Sequence, residues 1–426
     1  MKKTLIALGL LGAYGAVHAE SSVTLYGNIN VAVTKKGDAG VTLKAQEYRY
    51  ASHIGVTGKE DLGNGYSAIF KLEGELEPDT GSGVYGADKK TFGFNRHSYI
   101  GLVTPFGAFR FGRSTTPFVN MWIGGGFGEG RGIGEFTGGL AGTGLRTTQP
   151  EVGARWNNAL FYDVKKGGFA AGFAVTTKGS ESIVPTTVGA SSVVTSVDNE
   201  GASGTKSAYG GYARYEGKAG MWGYKVGAAY QVDNGSTYSG YVSPALVGAN
   251  LKNAPAEAKN AWIVASGLSY GAAKFDIGYA KAKIDNTDIT NANLLRGKSK
   301  TLFASLGYDL SARDHVYFSY GKYKRNNDYT FATGRTGVNI TSVGEVSGEQ
   351  YSAGYEHQLS KRTVVYANIR KVTNVTNSCS ANLLGSSLSE SSPYYKPTCG
   401  AVKDRVQALL DVEKGWSYDV GVSHKF

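Results

Sequence analysis

The sequence predicts an all-β fold, a 16-stranded antiparallel transmembrane β-barrel. Three observations carry that expectation: a C-terminal segment that alternates apolar and polar residues to its last position, the recurrence of that alternation along the chain, and a composition rich in turn and aromatic residues. In Gly415–Phe426, Trp416, Tyr418, Val420, Val422 and Phe426 share one strand face, and Ser417, Asp419, Ser423 and Lys425 share the other. The apolar face must meet lipid or another sheet, and the polar face suits water inside a closed barrel. The edge strand of a soluble sandwich has the same pattern, so this segment alone does not decide.

The N-terminus narrows the choice. Lys2 and Lys3, the apolar run Leu5–Val17 and the small-residue end Val17-His18-Ala19 are expected to form a signal peptide over residues 1–19, cleaved before Glu20. No other segment approaches the roughly 20 apolar residues of a spanning helix. Residues 20–426 are therefore expected to form one barrel domain. The 61 Gly and 28 Tyr, against 9 Pro and 2 Cys, fit many short strands with aromatic belts at the membrane interfaces. The formal charge is +11, or +9 without Lys2 and Lys3; in an exported chain this suits a basic lumen or contact with lipopolysaccharide rather than nucleic acid. Cys379 and Cys399, exported together, are expected to form a disulfide across one long loop.

From Val23 onward the alternation predicts strands near 22–35, 48–60, 65–77, 92–104, 107–114, 152–164, 168–178 and 206–217, then 221–232, 260–270, 273–284, 299–310, 314–325, 347–359, 362–373 and 415–426. Short turns at 61–65, 104–107, 165–168 and 311–314 are expected at the periplasmic rim. Long segments at 179–205, 233–259, 285–298, 326–346 and 374–414, rich in Ser, Thr, Asn and Gly, are expected as external loops. In the first strand Val23, Leu25, Ile29, Val31 and Val33 are expected to face lipid, with Thr24, Tyr26, Asn28 and Asn30 facing water. In the third, Lys71 and Glu73 are assigned to the lumen, because charge on the lipid face near the midplane costs about 2–4 kcal/mol. Alternation cannot tell this polarity from that of a soluble barrel; strand number can, since sixteen strands enclose a lumen too wide for side chains to fill.

Ser22-Val-Thr-Leu-Tyr-Gly27, Gly58-Lys-Glu-Asp-Leu-Gly-Asn-Gly65 running into Ala68-Ile-Phe-Lys-Leu-Glu73, Arg96-His-Ser-Tyr-Ile-Gly-Leu102, Phe111-Gly-Arg113 and Arg155-Trp-Asn-Asn158 with Tyr162 stand in a characteristic order. With Leu359-Ser-Lys-Arg-Thr363 and Gly421-Val-Ser-His-Lys-Phe426, they make the chain resemble the trimeric general porins of beta-proteobacteria, which include the neisserial porins. The resemblance spans the whole chain and implies a homotrimer whose third loop, here about 114–150, folds into the pore. Glycines 124–126, 128, 130, 132 and 134 suit that bend. It also implies passive passage of small hydrophilic solutes and ions, with no covalent chemistry and no cofactor. Expected partners are outer-membrane lipid, lipopolysaccharide and the outer-membrane assembly machinery. Tyr418, Val420, Val422 and Phe426 are the expected assembly signal.

The family pattern sets loop charges against a basic wall. Glu129, Arg131, Glu135 and Arg146 are the loop candidates; His53, Lys71, Arg96, Arg110, Arg113 and Arg155 are the wall candidates. Their sign predicts anion preference. His53 and Thr57 stand where the family often carries basic side chains, and the remaining basic residues have an alternative place on loops and rims beside lipopolysaccharide phosphates. Phe118, Trp122, Phe127 and Phe136 in the third loop keep open a substrate-specific channel lined by aromatics. Gly267-Leu-Ser-Tyr-Gly271 matches a hydrolase nucleophile elbow but sits in a predicted strand followed by another strand. The six His show no metal-ligand spacing, and an adhesin would need larger external domains.

Overall fold

β-Branched and aromatic residues at every second position favour extended chain, and Gly or Asn with positive φ closes the tight reversals between them. The computed structural model of the protein describes residues 21–35, 37, 40–45, 51–83, 92–128, 154–177, 181–188, 191–198, 207–233, 259–288, 293–332, 339–383, 386–387 and 416–426. Sixteen strands follow one another around a single antiparallel sheet. They are β1 (Ser22–Lys35), β2 (His53–Gly63), β3 (Tyr66–Glu77), β4 (His97–Thr104), β5 (Gly107–Thr115), β6 (Arg155–Lys166), β7 (Phe169–Thr176) and β8 (Tyr209–Ala219). The second half comprises β9 (Trp222–Asp233), β10 (Lys259–Tyr270), β11 (Ala273–Asp288), β12 (Asn293–Asp309), β13 (Asp314–Ala332), β14 (Asn339–Gln358), β15 (Thr363–Leu383) and β16 (Trp416–Lys425).

The sheet closes because β16 pairs with β15 on one side and with β1 on the other, from Asn28↔Lys425 to Lys35↔Tyr418. Phe426 and Gly27 exchange both backbone hydrogen bonds at 3.2 Å. Gly27 is required there: a Cβ would overlap the Phe426 ring and the His53 carbonyl. At the turn rim Asn64 (φ 53°), Gly65 (φ 80°) and Gly167 (φ 58°) make the reversals. The Ser311 hydroxyl accepts the Arg313 and Asp314 amides at 3.0 and 3.1 Å.

Side-chain direction settles the polarity left open by alternation. Val23 and Leu25 are 70% and 60% exposed on the outer surface, whereas Asn28 and Asn30 are each 2% exposed inside. On β16 Trp416, Tyr418, Val420, Val422 and Phe426 are exposed, while Ser417, Asp419 and Ser423 are buried. An apolar outside and polar inside is the arrangement of a barrel standing in lipid.

Two expectations about elements change, and one connection adds a short strand. Segments 285–298 and 326–346, expected as loops, largely continue the strands: β11 to β15 stay paired through Asp285↔Arg296, Leu294↔Thr330 and Val343↔Ser380. Beyond the membrane both faces meet water, so the ladder continues without apolar alternation to mark it. Segment 179–205 contains its own hairpin, Glu181–Val188 paired with Ser191–Asp198, whose β-branched residues suit a ribbon. The first long connection supplies Thr42–Ala45, paired with β1 at Val31–Thr34.

Candidate pore constriction

The third connection enters the lumen. Its described part begins at Thr116 and forms α1 (Pro117–Trp122), a single turn and a half with Pro at its first position, where no amide partner is needed. Phe118, Met121, Trp122 and Phe127 are all buried against Ala229 on β9, Ala261, Ile263 and Ala265 on β10, Ala280 and Ala282 on β11, and Phe303 on β12. The small residues make room; the Trp122 and Phe303 rings meet edge to face with centroids 4.0 Å apart. These strands are therefore apolar on part of their inner face, a departure from the expected polar lumen.

Four wall side chains hold the loop's backbone. Arg214 Nη1 donates to the Asn120 carbonyl at 2.7 Å and Lys225 Nζ to the Gly126 carbonyl at 2.5 Å. Gln231 Oε1 accepts the Phe118 amide at 3.1 Å and Asp276 Oδ2 accepts the Gly128 amide at 3.0 Å. Lys225 also pairs with the buried Asp276 at 2.9 Å. Two cations on two carbonyls and two acceptors on two amides satisfy four backbone groups that the loop's own hydrogen bonds leave open. Sequence reasoning missed all four residues; their signal was charge or amide on lumen-facing positions of otherwise apolar strands.

Phe118, Trp122 and Phe127 are thus anchors packed on the wall, not the lining of a translocation path. Phe136, Glu129, Arg131, Glu135 and Arg146 lie outside the described residues. Cys399 does as well, so the expected disulfide with Cys379 also lies outside them.

Across the lumen β1 to β6 present charge. Glu73 on β3 is almost fully buried and accepts from Tyr26 OH at 2.7 Å, from Arg96 Nε at 2.6 Å and from Lys71 Nζ at 2.9 Å. Arg96 also lies 3.8 Å from Glu75. Arg110 on β5 pairs with Asp163 on β6, donates to Ser114 Oγ at 2.6 Å, and rests against the rings of Tyr99 and Phe161. Tyr212 OH donates to the second oxygen of Asp163 at 2.9 Å, tying β8 to this group.

Arg110 and Arg113 are an odd number of positions apart and cannot share a face of an unbroken strand. A register shift between Gly112 and Ser114 resolves this, with Gly112 at φ 128° and Asn158 at φ 48°. The bulged Arg113 donates to the Asn95 carbonyl at 2.7 Å and to Asn157 Oδ1. Arg155 feels the fields of Arg96, Arg113, Glu73 and Glu75. His53 lies against Tyr26 with ring centroids 6.0 Å apart, its Nδ1 2.7 Å from the Ala51 carbonyl. All six wall candidates therefore fall in described parts of β2 to β6 or just before β4. The structure adds the acids Glu75 and Asp163 as their partners, which sets five Lys and Arg side chains against three acids in this group.

Gly267-Leu-Ser-Tyr-Gly271 lies along β10 and into the tight reversal to β11, with Ser269 paired to Gly223 and Lys274. There is no strand-to-helix turn at this serine.

A closed barrel with an apolar outside, a charged inner wall and a loop segment packed against that wall from inside is a pore-forming barrel of the bacterial outer membrane. The chain belongs to the Gram-negative porin family, whose model matches residues 4–377. It is similar to outer membrane porin protein 32 of Delftia acidovorans, 38% identical over 187 residues, covering 41% of this chain and 49% of that one. It is also similar to major outer membrane protein P.IB of Neisseria gonorrhoeae, 36% identical over 141 residues, covering 30% and 38%. The chain thus spans half or less of the length of these relatives in the matched segments. Among solved structures, the anion-selective porin from Comamonas acidovorans shares the fold at a TM-score of 0.55 and 24% identity, covering 95% of this chain and 100% of that one. In-vitro folded OmpT of Vibrio cholerae does so at 0.57 and 13%, covering 95% and 98%.

Proposed function

We propose that the protein is a general diffusion porin, a homotrimer that passes small hydrophilic solutes and ions through a water-filled pore with a preference for anions. The observation that carries this reading is the inner wall of β3 to β6, where Lys71, Arg96, Arg110, Arg113 and Arg155 outnumber Glu73, Glu75 and Asp163. A surplus of one sign in a narrow aqueous passage raises the local concentration of the opposite ion. Glu129 and Glu135, with Arg131 and Arg146, are the proposed loop side of the same constriction. The name of the Comamonas neighbour as anion-selective agrees with this sign.

A channel selective for one substrate through loop aromatics loses its support, since three of the four aromatics pack on the wall. Trimer formation is supported by a continuous apolar groove on the outside of the barrel, lined by Val31, Val33, Leu43, Val365, Val420 and Val422. The test is single-channel current of the purified protein in a planar bilayer, with reversal potential in a salt gradient. Steps in multiples of three with an anion-favouring potential are expected. Cation selectivity would overturn the charge assignment, and absence of ohmic current from folded protein would overturn the pore.

A further inference from the structure

The outside of β11 to β13 changes character at its long-connection end. From Tyr270 near the turn rim to Trp262 is about 27 Å of strand at ~3.4 Å per residue, close to the height of a lipid-facing band once strand tilt is allowed for. Val264, Ile277 and Leu302 face outward within that band. Level with Trp262 at its edge come Lys281, Lys300 and Lys324, and one row further out come Lys283 and Lys298. All but the half-buried Lys281 are exposed. Their chain neighbours Ala280, Ala282, Ser299, Thr301 and Tyr323 are buried on the lumen side, so the lysines stand on the outer surface.

Register places these charges side by side. Lys281 lies opposite Lys300 and Lys300 opposite Lys324, so one cross-strand row carries three lysines in succession. Lys283 opposite Lys298 forms the next row. Like charges directly opposed on one face destabilise a sheet. Glu349 pairs with Lys322 and Glu345 with Lys324, each at 2.8 Å, but both acids stand on the β14 flank. Among the described residues no carboxylate lies within ion-pair distance of Lys281, Lys298 or Lys300. Lys281 Nζ sits 5.6 Å from the ring centres of both Trp262 and Tyr279, aromatic residues at the apolar boundary.

We propose that this patch is a binding site for the phosphorylated headgroup of an outer-leaflet glycolipid, with the lipid's acyl chains lying on the apolar strip below. A phosphomonoester brings close to two negative charges and three acceptor oxygens, which matches opposed ammonium pairs at the level where headgroups begin. A soluble polyanion would satisfy the charges but leave the adjoining apolar strip and aromatic boundary unused. The site rests on the reading of the barrel as standing in the outer membrane with its long connections outward.

The test compares the wild type, K281Q/K298Q/K300Q and the charge-retaining K281R/K298R/K300R. Each purified barrel is exposed to bis-phosphorylated lipid A or to the same lipid stripped of its phosphates, in phosphatidylcholine nanodiscs. Native mass spectrometry then counts retained lipid, and planar-bilayer current is recorded in parallel. The wild type and arginine variant are expected to retain lipid A in a phosphate-dependent way, and the glutamine variant to lose at least about tenfold in retention with unchanged conductance. If the glutamine triple does not fold, K300Q carries the same comparison with a smaller expected loss. Equal retention by wild type and glutamine variant, or retention by the wild type that ignores the phosphates, would overturn the site. Phosphate-dependent retention without ohmic current would overturn the pore reading and leave the lipid site standing.

Discussion

The lumen sides of β3 to β6 and of β9 to β12 are built from similar alternating strands, yet they do opposite things. The first group turns Lys71, Arg96, Arg110 and Arg113 toward the water-filled space and balances them with Glu73, Glu75 and Asp163. The second turns alanines inward, with Ile263 and Phe303, and covers them with α1 and Phe127. Charge on the inner wall is therefore concentrated on the side that α1 and Phe127 do not cover. On the covered side Lys225 and Asp276 are taken up by the loop backbone, and Lys274 pairs with Asp309 instead. The lumen is divided into a seat and a conduit, and inward polarity alone does not say which is which.

That division can be broken from the seat. Trp122→Ala removes the largest anchor and is expected to cost about 3–5 kcal/mol of loop seating. Protease cleavage within 116–128 and noisy, enlarged single-channel currents are the expected signs, and currents identical to wild type would contradict the seat. Asp276→Ala leaves the Gly128 amide without its acceptor and Lys225 with the Gly126 carbonyl alone, at roughly 1.5–3 kcal/mol. It is expected to raise conductance while the barrel keeps its resistance to heat on gels.

The conduit is sharpened by charge changes of opposite sign. Arg113→Gln with Arg155→Gln is expected to move the reversal potential toward zero, whereas Asp163→Asn frees Arg110 and is expected to move it further toward anions. The same direction for both changes would remove the wall network as the source of selectivity. Smallest of all, Glu129→Gln with Glu135→Gln is expected to increase anion preference modestly without preventing barrel assembly, as read from reversal potential and the heat-resistant barrel band on gels. Unchanged selectivity would take these two residues out of the constriction.

Much of this was legible in the sequence where lipid imposes a pattern. All sixteen strands of the barrel coincide with an alternating segment, and the polarity of β1 follows residue by residue. Where lipid stops, so does legibility: β13 runs on to Ala332 and β14 begins at Asn339 because water on both faces erases the period but not the hydrogen bonding. In the constriction, Arg110 and Arg113 were recognisable as basic wall residues, but their joint placement needs the bulge at Gly112. Asp163 escaped because it is a diagonal neighbour of Arg110, visible only once Ala108↔Asp163 and Arg110↔Phe161 fix the register. Phe118, Trp122 and Phe127 left a second channel type open in the sequence because burial of Phe118 depends on alanines more than a hundred residues away.

The seam between β1 and β16 has a kinetic meaning. Other neighbouring strand pairs join segments near one another in sequence, so each hairpin closes only a short loop of chain. At the seam the Ser423 hydroxyl donates to Asn28 Oδ1 at 2.8 Å across a separation of 395 residues. Loop-closure entropy grows only with the logarithm of length, so a ring this size costs about 4 kcal/mol more than a hairpin in a free chain. Once the intervening hairpins have stacked, most of that ordering has already occurred and the two ends are held near one another. The barrel is thus a structure whose most distant contact becomes affordable only at the end, and until then β1 stands as an open edge of unpaired amides and carbonyls.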